Sequence, residues 1–115
     1  MQSMTSFEFG DIILVPFPFT DQSTTKKRPA VVISSEIYNT ERPDLIIMAV
    51  TSQIKPARII GEVIIKDWQE AGLLKPSVVK PVITTMEKSL VIKTMGLLKE
   101  RDKKLLHKSL QEILG

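Results

Sequence analysis

The sequence predicts a mainly β protein: a small β-barrel with a few α-helices, one of them amphipathic and C-terminal. Two observations carry this. Five short runs rich in Val and Ile, separated by turn-forming residues, fall within about 85 residues, a spacing typical of small barrels. Beyond Gly96 the apolar spacing changes from strand-like to helical, and no linker, repeat or low-complexity tract divides the chain. The 115 residues therefore read as one domain, 1–115, too short to hold a second core.

The expected strands are Asp11 to Phe17, Ala30 to Ser34, Leu45 to Val50, Ile59 to Lys66 and Val78 to Thr85. In a barrel each strand buries alternate residues, and closure of the sheet removes the unpaired edges that invite aggregation. The runs IILV and LIIMAV are apolar at every position, which fits burial on both faces, by a dimer interface or by the C-terminal helix. Between the first two strands, Thr20 to Lys27 (TDQSTTKK) is polar and begins with Asp21 as a turn former, so it reads as a long hairpin loop and a candidate lid. Asp67 caps and Gly72 stops the segment DWQEA, predicting one or two helical turns anchored by Trp68. Short helical segments are also expected around Ser35 to Asn39 and Met86 to Leu90. The terminal helix runs from Glu100 to Leu114, with Leu105, Leu106, Ser109, Leu110, Ile113 and Leu114 on one face and Lys103, Lys104, Lys108 and Glu112 on the other.

Composition excludes several chemistries. With 43% hydrophobic and 25% charged residues, the chain has enough apolar material to fold. Its longest apolar stretch, Ile12 to Phe19, is too short to cross a bilayer of roughly 30 Å and is broken by Pro16 and Pro18. No basic segment followed by an apolar run opens the sequence, so no secretory signal is expected and the protein is placed in the cytosol. The absence of cysteine removes disulfides, thiolate nucleophiles and cysteine zinc sites. A single histidine, His107, cannot assemble a histidine metal cluster or a Ser-His-Asp relay within one chain, so neither metal nor cofactor is expected. The net charge of +3 and pI near 9.3 lean toward a polyanionic partner, although many domains of this charge bind no nucleic acid.

Three segments in order carry a resemblance: GDIILVPFPFTDQSTTKKRPAVVIS from Gly10 to Ser34, MAVTSQ from Met48 to Gln53, and AGLLKPSVVK from Ala71 to Lys80. A fourth, Met95-Gly96-Leu97-Leu98, precedes the last helix. In order, spacing and total length these resemble the MazF/PemK family of toxins of type II toxin-antitoxin systems. The resemblance implies an SH3-like barrel of the MazF/PemK/CcdB type and a homodimer. It also implies metal-independent cleavage of single-stranded mRNA at particular sequences, leaving a 2′,3′-cyclic phosphate and a 5′-hydroxyl, with neutralisation by a cognate antitoxin.

That reaction needs in-line geometry, a proton acceptor, a proton donor for the leaving oxygen, and positive charge on the phosphorane. Arg28 lies in Lys27-Arg28-Pro29, just before an expected strand, where Pro29 stiffens the chain that presents it. Its guanidinium can make paired hydrogen bonds to phosphate oxygens. The resemblance assigns this arginine as acid and base, but a side chain with a pKa above about 12 is a poor base at neutral pH, so phosphorane stabilisation and proton donation come first. Thr51 matches the threonine that the family uses beside it, and Ser52 is an adjacent helper. Without the resemblance, Thr-Ser at a strand end reads as a turn.

Lys26, Lys27, Lys55, Arg58, Lys75 and Lys80 form a candidate RNA-binding rim, each residue also consistent with ordinary solvated surface. Phe17 and Phe19 suit base stacking or core filling equally. Asp11 matches the family's opening Gly-Asp and is expected to fix a turn, and His107 has no expected catalytic part. The chain also departs from the pattern. Many ribonuclease members follow the Ser-Val motif with an Asp-Gln-x-Arg-like segment that helps read the RNA; here Ser77-Val78-Val79 leads instead into Lys80-Pro81-Val82-Ile83-Thr84-Thr85, and the first loop is shorter. The family's cleavage sequence therefore does not carry over. Two non-catalytic readings stand beside the ribonuclease: a toxin that binds another protein, as the gyrase-poisoning CcdB toxins do with a similar barrel, and a generic SH3-like module binding protein or nucleic acid. The first needs neither Arg28 nor Thr51, and the second needs only the basic rim.

Overall fold

Six strands and two helices form around two apolar clusters in a computed structural model that describes residues 6–17, 26–55 and 59–115. The strands are β1 Asp11–Phe17, β2 Lys26–Val32, β3 Asp44–Thr51, β4 Val63–Ile65, β5 Ser77–Glu87 and β6 Lys93–Leu97; the helices are α1 Glu36–Glu41 and α2 Glu100–Leu114. The strands pair antiparallel in the order β4-β5-β3-β2-β1-β6, a six-stranded curled sheet that makes a half-barrel.

Alternation along the strands sends side chains to both sides of this sheet. Ile12, Val31, Met48, Val50 and Val79 join Val63, Ile65 and Leu106 in one cluster, while Ile13, Val15, Ala30, Val32, Leu45, Ile47 and Ala49 join Phe7 in the other. The continuously apolar runs are thus buried on both faces within a single chain, with α2 covering one face and Phe7, Met86 and Val91 helping to cover the other. On α2 the buried stripe is Asp102, Leu106 and Ser109, with Leu110 and Ile113 packed beside it; Leu105 and Leu114 lie at its exposed margin.

The hydrogen-bonded ladder stops at β4 and β6, and the seam between them is covered by backbone packing. After β4 the chain turns through Asp67 to Leu73, with Ala71 N–H donating to Asp67 O at 3.1 Å and Leu73 N–H to Trp68 O at 3.0 Å. This is the expected helical segment, shortened to consecutive turns, and Trp68 packs against the first cluster as expected. Its end meets β6 so closely that a Cβ on Gly72 would lie 2.1 Å from Met95 O, and one on Gly96 2.2 Å from Ala71 O. Two of the motif segments, AGLLKPSVVK and MGLL, are therefore in contact.

Asp102 ties α2 to the same turn. It is fully buried, and its two carboxylate oxygens accept from Lys66 N–H at 3.1 Å and Asp67 N–H at 2.9 Å. Asp102→Ala strips two backbone amides of their side-chain acceptor and is expected to cost about 2–3 kcal/mol of stability, read as a lower urea midpoint.

Asp11 fixes a turn, as expected. Glu8 N–H donates to Asp11 Oδ2 at 2.9 Å, Asp11 N–H donates to Glu8 O at 3.1 Å, and Gly10 takes φ +94° between them. Burial pushes the Asp11 carboxyl above its ordinary value, with the Glu8 amide pulling the other way. A raised folded-state pKa contributes stability that is present in acid and lost as pH rises through it. Asp11→Asn keeps an acceptor for Glu8 N–H without the charge, so its melting temperature relative to the unsubstituted protein is expected to rise between the ordinary carboxylate pKa and pH 7.

Several boundaries differ from the sequence expectation. β4 keeps only Val63–Ile65, because Ile59 to Glu62 form a turn closed by Glu62 N–H on Ile59 O and opened by Gly61 at φ +97°; Ile59 and Ile60 are exposed. α1 begins one residue after its N-cap Ser35, and the segment near Met86 is the end of β5 followed by a single 3₁₀ turn, Lys88–Leu90. β2 starts earlier than expected, so Arg28 lies within a strand. The candidate lid, apart from Lys26 and Lys27, falls outside the described residues.

Candidate functional site

The site begins where two strands stop pairing. β2 bonds to β1 along its length but to β3 only from Ala30 to Val32, with Ala30 opposite Ala49. Pro29 has no N–H to continue that ladder, and such a residue is tolerated in a sheet where one side needs no partner. Extending the register by two residues sets Arg28 opposite Thr51, both on the face that carries Ala30 and Ala49. On their outer sides Arg28 pairs with Val15 and Thr51 with Val78. Loss of one ladder thus leaves a notch between two anchored strands.

Arg28, Pro29, Val50, Thr51 and Gln53 form a wall shared by two lobes. The first, about 260 Å³, is completed by Ala49, Lys55, Lys80 and Val82. The second, about 350 Å³, is completed by Leu14, Lys27, Ser52, Leu73, Leu74, Lys75, Ser77 and Met95. The described lining residues of both lobes include Lys27, Arg28, Lys55, Lys75 and Lys80 and no Asp or Glu, so the charged side chains that line the notch are all cationic.

Thr51 also makes the turn that its sequence suggests: its Oγ1 accepts from Gln53 N–H at 3.1 Å. The hydroxyl hydrogen can still be donated, so turn and site uses coexist. Ser52 is exposed and reaches only the second lobe. Ser77 is buried, and its hydroxyl donates to Lys75 O at 2.8 Å.

The expected basic rim divides. Lys27, Lys55, Lys75 and Lys80 line the lobes, Lys26 is exposed at the start of β2 and lines neither, and Arg58 lies outside the described residues. Lys80 is held by a 2.9 Å ion pair with Glu62. The segment that departs from the family pattern makes a bulge: Met48 pairs with Ile83 and Ala49 with Lys80, leaving Pro81 and Val82 between them, and Val82 enters the first lobe. His107 stacks on Phe9 at 3.9 Å between centroids, in a separate depression with Glu8, Glu36 and Lys103. Phe19 and the side chain of Phe17 fall outside the described residues. Among the described residues, no group of three or more His, Cys, Asp or Glu is placed to hold a metal, and no helix is long and apolar enough to cross a membrane.

Sequence reasoning missed the walls. Leu14, Leu73, Leu74, Ser77 and Met95 lie in three of the motif segments, Gly10 to Ser34, Ala71 to Lys80 and Met95 to Leu98, but nothing local to those segments marked these five as walls of one cleft.

Fold and notch together define a small half-barrel with a cationic, hydroxyl-bearing cleft at a break in its sheet, a class suited to a phosphate backbone. Residues 8–114 match the PemK-like, MazF-like toxins of type II toxin-antitoxin systems, and the chain belongs to that family. Its fold is similar to that of an endoribonuclease in complex with its cognate antitoxin from a mycobacterial species, with a TM-score of 0.75 over 97% of this chain and 96% of that one, at 15% identity. MazF in a MazE–MazF crystal structure from Deinococcus radiodurans gives 0.76 over 96% and 98%, at 19% identity. The Mycobacterium tuberculosis toxin MazF-mt6 gives 0.72 over 90% and 95%, at 18% identity. No curated protein matches the sequence.

Proposed function

We propose that this chain is a sequence-specific, metal-independent endoribonuclease toxin acting on single-stranded mRNA. The observation that carries the reading is the juxtaposition of Arg28 and Thr51 across the unpaired end of the β2–β3 ladder, in a cleft whose described lining is cationic. Family membership and the endoribonuclease named among the structural neighbours support it.

In the proposed reaction a ribose 2′-hydroxyl attacks its own 3′ phosphorus, passing its proton to solvent water, and the bond to the 5′-oxygen breaks as that oxygen takes a proton from Arg28, which solvent replaces, leaving a 2′,3′-cyclic phosphate and a 5′-hydroxyl. Arg28 donates paired hydrogen bonds to the nonbridging oxygens as their charge grows, Thr51 donates its remaining hydroxyl hydrogen to the same phosphate, and Ser52 assists from the second lobe. Lys27, Lys55 and Lys80 follow the flanking phosphates, joined by Lys26 at the start of β2, and Arg58 is proposed from the sequence alone as a further phosphate contact. The chain acts in the cytoplasm as a homodimer and is neutralised by a cognate antitoxin; the antitoxin complex of one structural neighbour and the MazE–MazF complex of another support the antitoxin alone.

The test is incubation of the purified protein with a long mixed-sequence RNA in a chelator, with mapping of the ends produced. Discrete cuts with 5′-hydroxyl ends, lost in a folded Thr51→Ala protein, are expected. Strict dependence on added magnesium would refute the direct 2′-hydroxyl mechanism, and absence of cleavage would favour a non-catalytic binding module.

A further inference from the structure

We infer that Leu74 closes a pocket for one unpaired RNA base in the second lobe and thereby sets part of the cleavage specificity. This rests on the ribonuclease reading and deepens it.

The two lobes differ in chemistry on either side of the same Arg28–Thr51 wall. The first adds Lys55 and Lys80, which is what a phosphate track requires. The second adds Leu14, Leu73, Leu74 and Met95, more apolar wall than a phosphate can use. A base of single-stranded RNA has an apolar face and a polar edge and is normally held by stacking on side chains. Lys27 and Lys75 flank this wall, placed for the phosphates that such a base brings with it.

Leu74 is 86% exposed, whereas its neighbour Leu73 is buried. The backbone fixes that difference before any ligand arrives. Leu73 N–H is bonded to Trp68 O, Gly72 is pressed against Met95, and Pro76 restricts the chain beyond Lys75. A lone exposed leucine is unremarkable on most of a surface. Here it lines the same lobe as Leu14 and Met95 while remaining open to solvent, so a base entering that lobe would cover it.

The experiment compares wild type, Leu74→Ala, Leu74→Trp and, as a control, Ile37→Ala, an equally solvent-facing apolar residue on α1 that lines neither lobe. Cleavage kinetics, mapped cut sites and binding to a single-stranded oligonucleotide are read in each. Leu74→Ala is expected to raise KM and weaken binding about tenfold with little change in kcat, and to relax the cut pattern at one position. Leu74→Trp, with a larger stacking face, is expected to restore or exceed wild-type affinity. Ile37→Ala should match wild type. A Leu74→Ala protein that cuts and binds as wild type does, while wild type is active, overturns this inference alone; so does a loss confined to self-association or capture of a protein partner. A wild type that neither cuts nor binds RNA overturns both this inference and the ribonuclease reading.

Discussion

Arg28→Lys is expected to lower kcat/KM for RNA cleavage by roughly 100- to 1,000-fold, the range seen when a single donor to a developing oxyanion is removed. Charge is conserved in this substitution, so the loss isolates geometry. The guanidinium presents a planar fork that matches two phosphate oxygens, whereas the ammonium is a point charge on a flexible stem. Arg28 is held by a strand anchored on β1, and its opposite number Thr51 by one anchored on β5, so neither can follow a misplaced phosphate. RNA binding should fall only a fewfold, because Lys27, Lys55 and Lys75 remain in the cleft. Single-turnover cleavage and oligonucleotide binding, measured beside a thermal melt, separate these effects. A variant that keeps more than about a tenth of the activity would mean that charge alone is needed there, against the oxyanion-donor expectation.

Gly72→Ala is expected to cost about 2–5 kcal/mol, the sum of roughly 1–2 for a left-handed backbone and roughly 1–3 for the separation that a methyl group forces on the seam. Gly72 has φ +88°, and the added carbon would stand 2.1 Å from a backbone oxygen that cannot swing aside as a side chain would. Gly96→Ala meets the reciprocal clash, 2.2 Å from Ala71 O, without the positive φ. It should therefore cost less, about 2–3 kcal/mol. Urea unfolding of the two variants tests this ordering. If Gly96→Ala proves the more damaging, the left-handed strain assigned to Gly72 is wrong. Gly72→Ala should also impair cleavage under conditions where the protein remains folded, because Leu73, Leu74 and Lys75 follow directly and line the second lobe.

Long uniform patterns were legible and short mixed ones were not. β1 and α2 occupy the residues expected, Asp11–Phe17 and Glu100–Leu114, because an unbroken apolar run and a sustained helical period leave few alternatives. β6, Lys93–Leu97, was missed as a strand: KTMGL has neither a β-branched run nor a clear alternation, and its role is to pair with β1 and receive Gly72. Ile59 and Ile60 misled in the opposite sense, since apolar residues in an exposed turn look like the start of a strand. Arg28 and Thr51 were legible as a pair only through the family resemblance. Their proximity depends on a register between β2 and β3 that local sequence does not encode. The walls of the lobes depend further on β6 and on the bulge at Pro81 and Val82, both absent from the sequence reading.

The ladder stop at Pro29 bears on how such a protein can diverge. Because a missing amide hydrogen, built into the covalent chain, ends the ladder at Ala30, the gap between the two strands exists before any RNA arrives. On the proposed ribonuclease reading, chemistry and recognition are thereby housed in separate modules. On that reading, the bulge beside Lys80 and the ledge after Gly72 are the places to rewrite residue by residue for other transcripts, while the arginine and threonine keep their places.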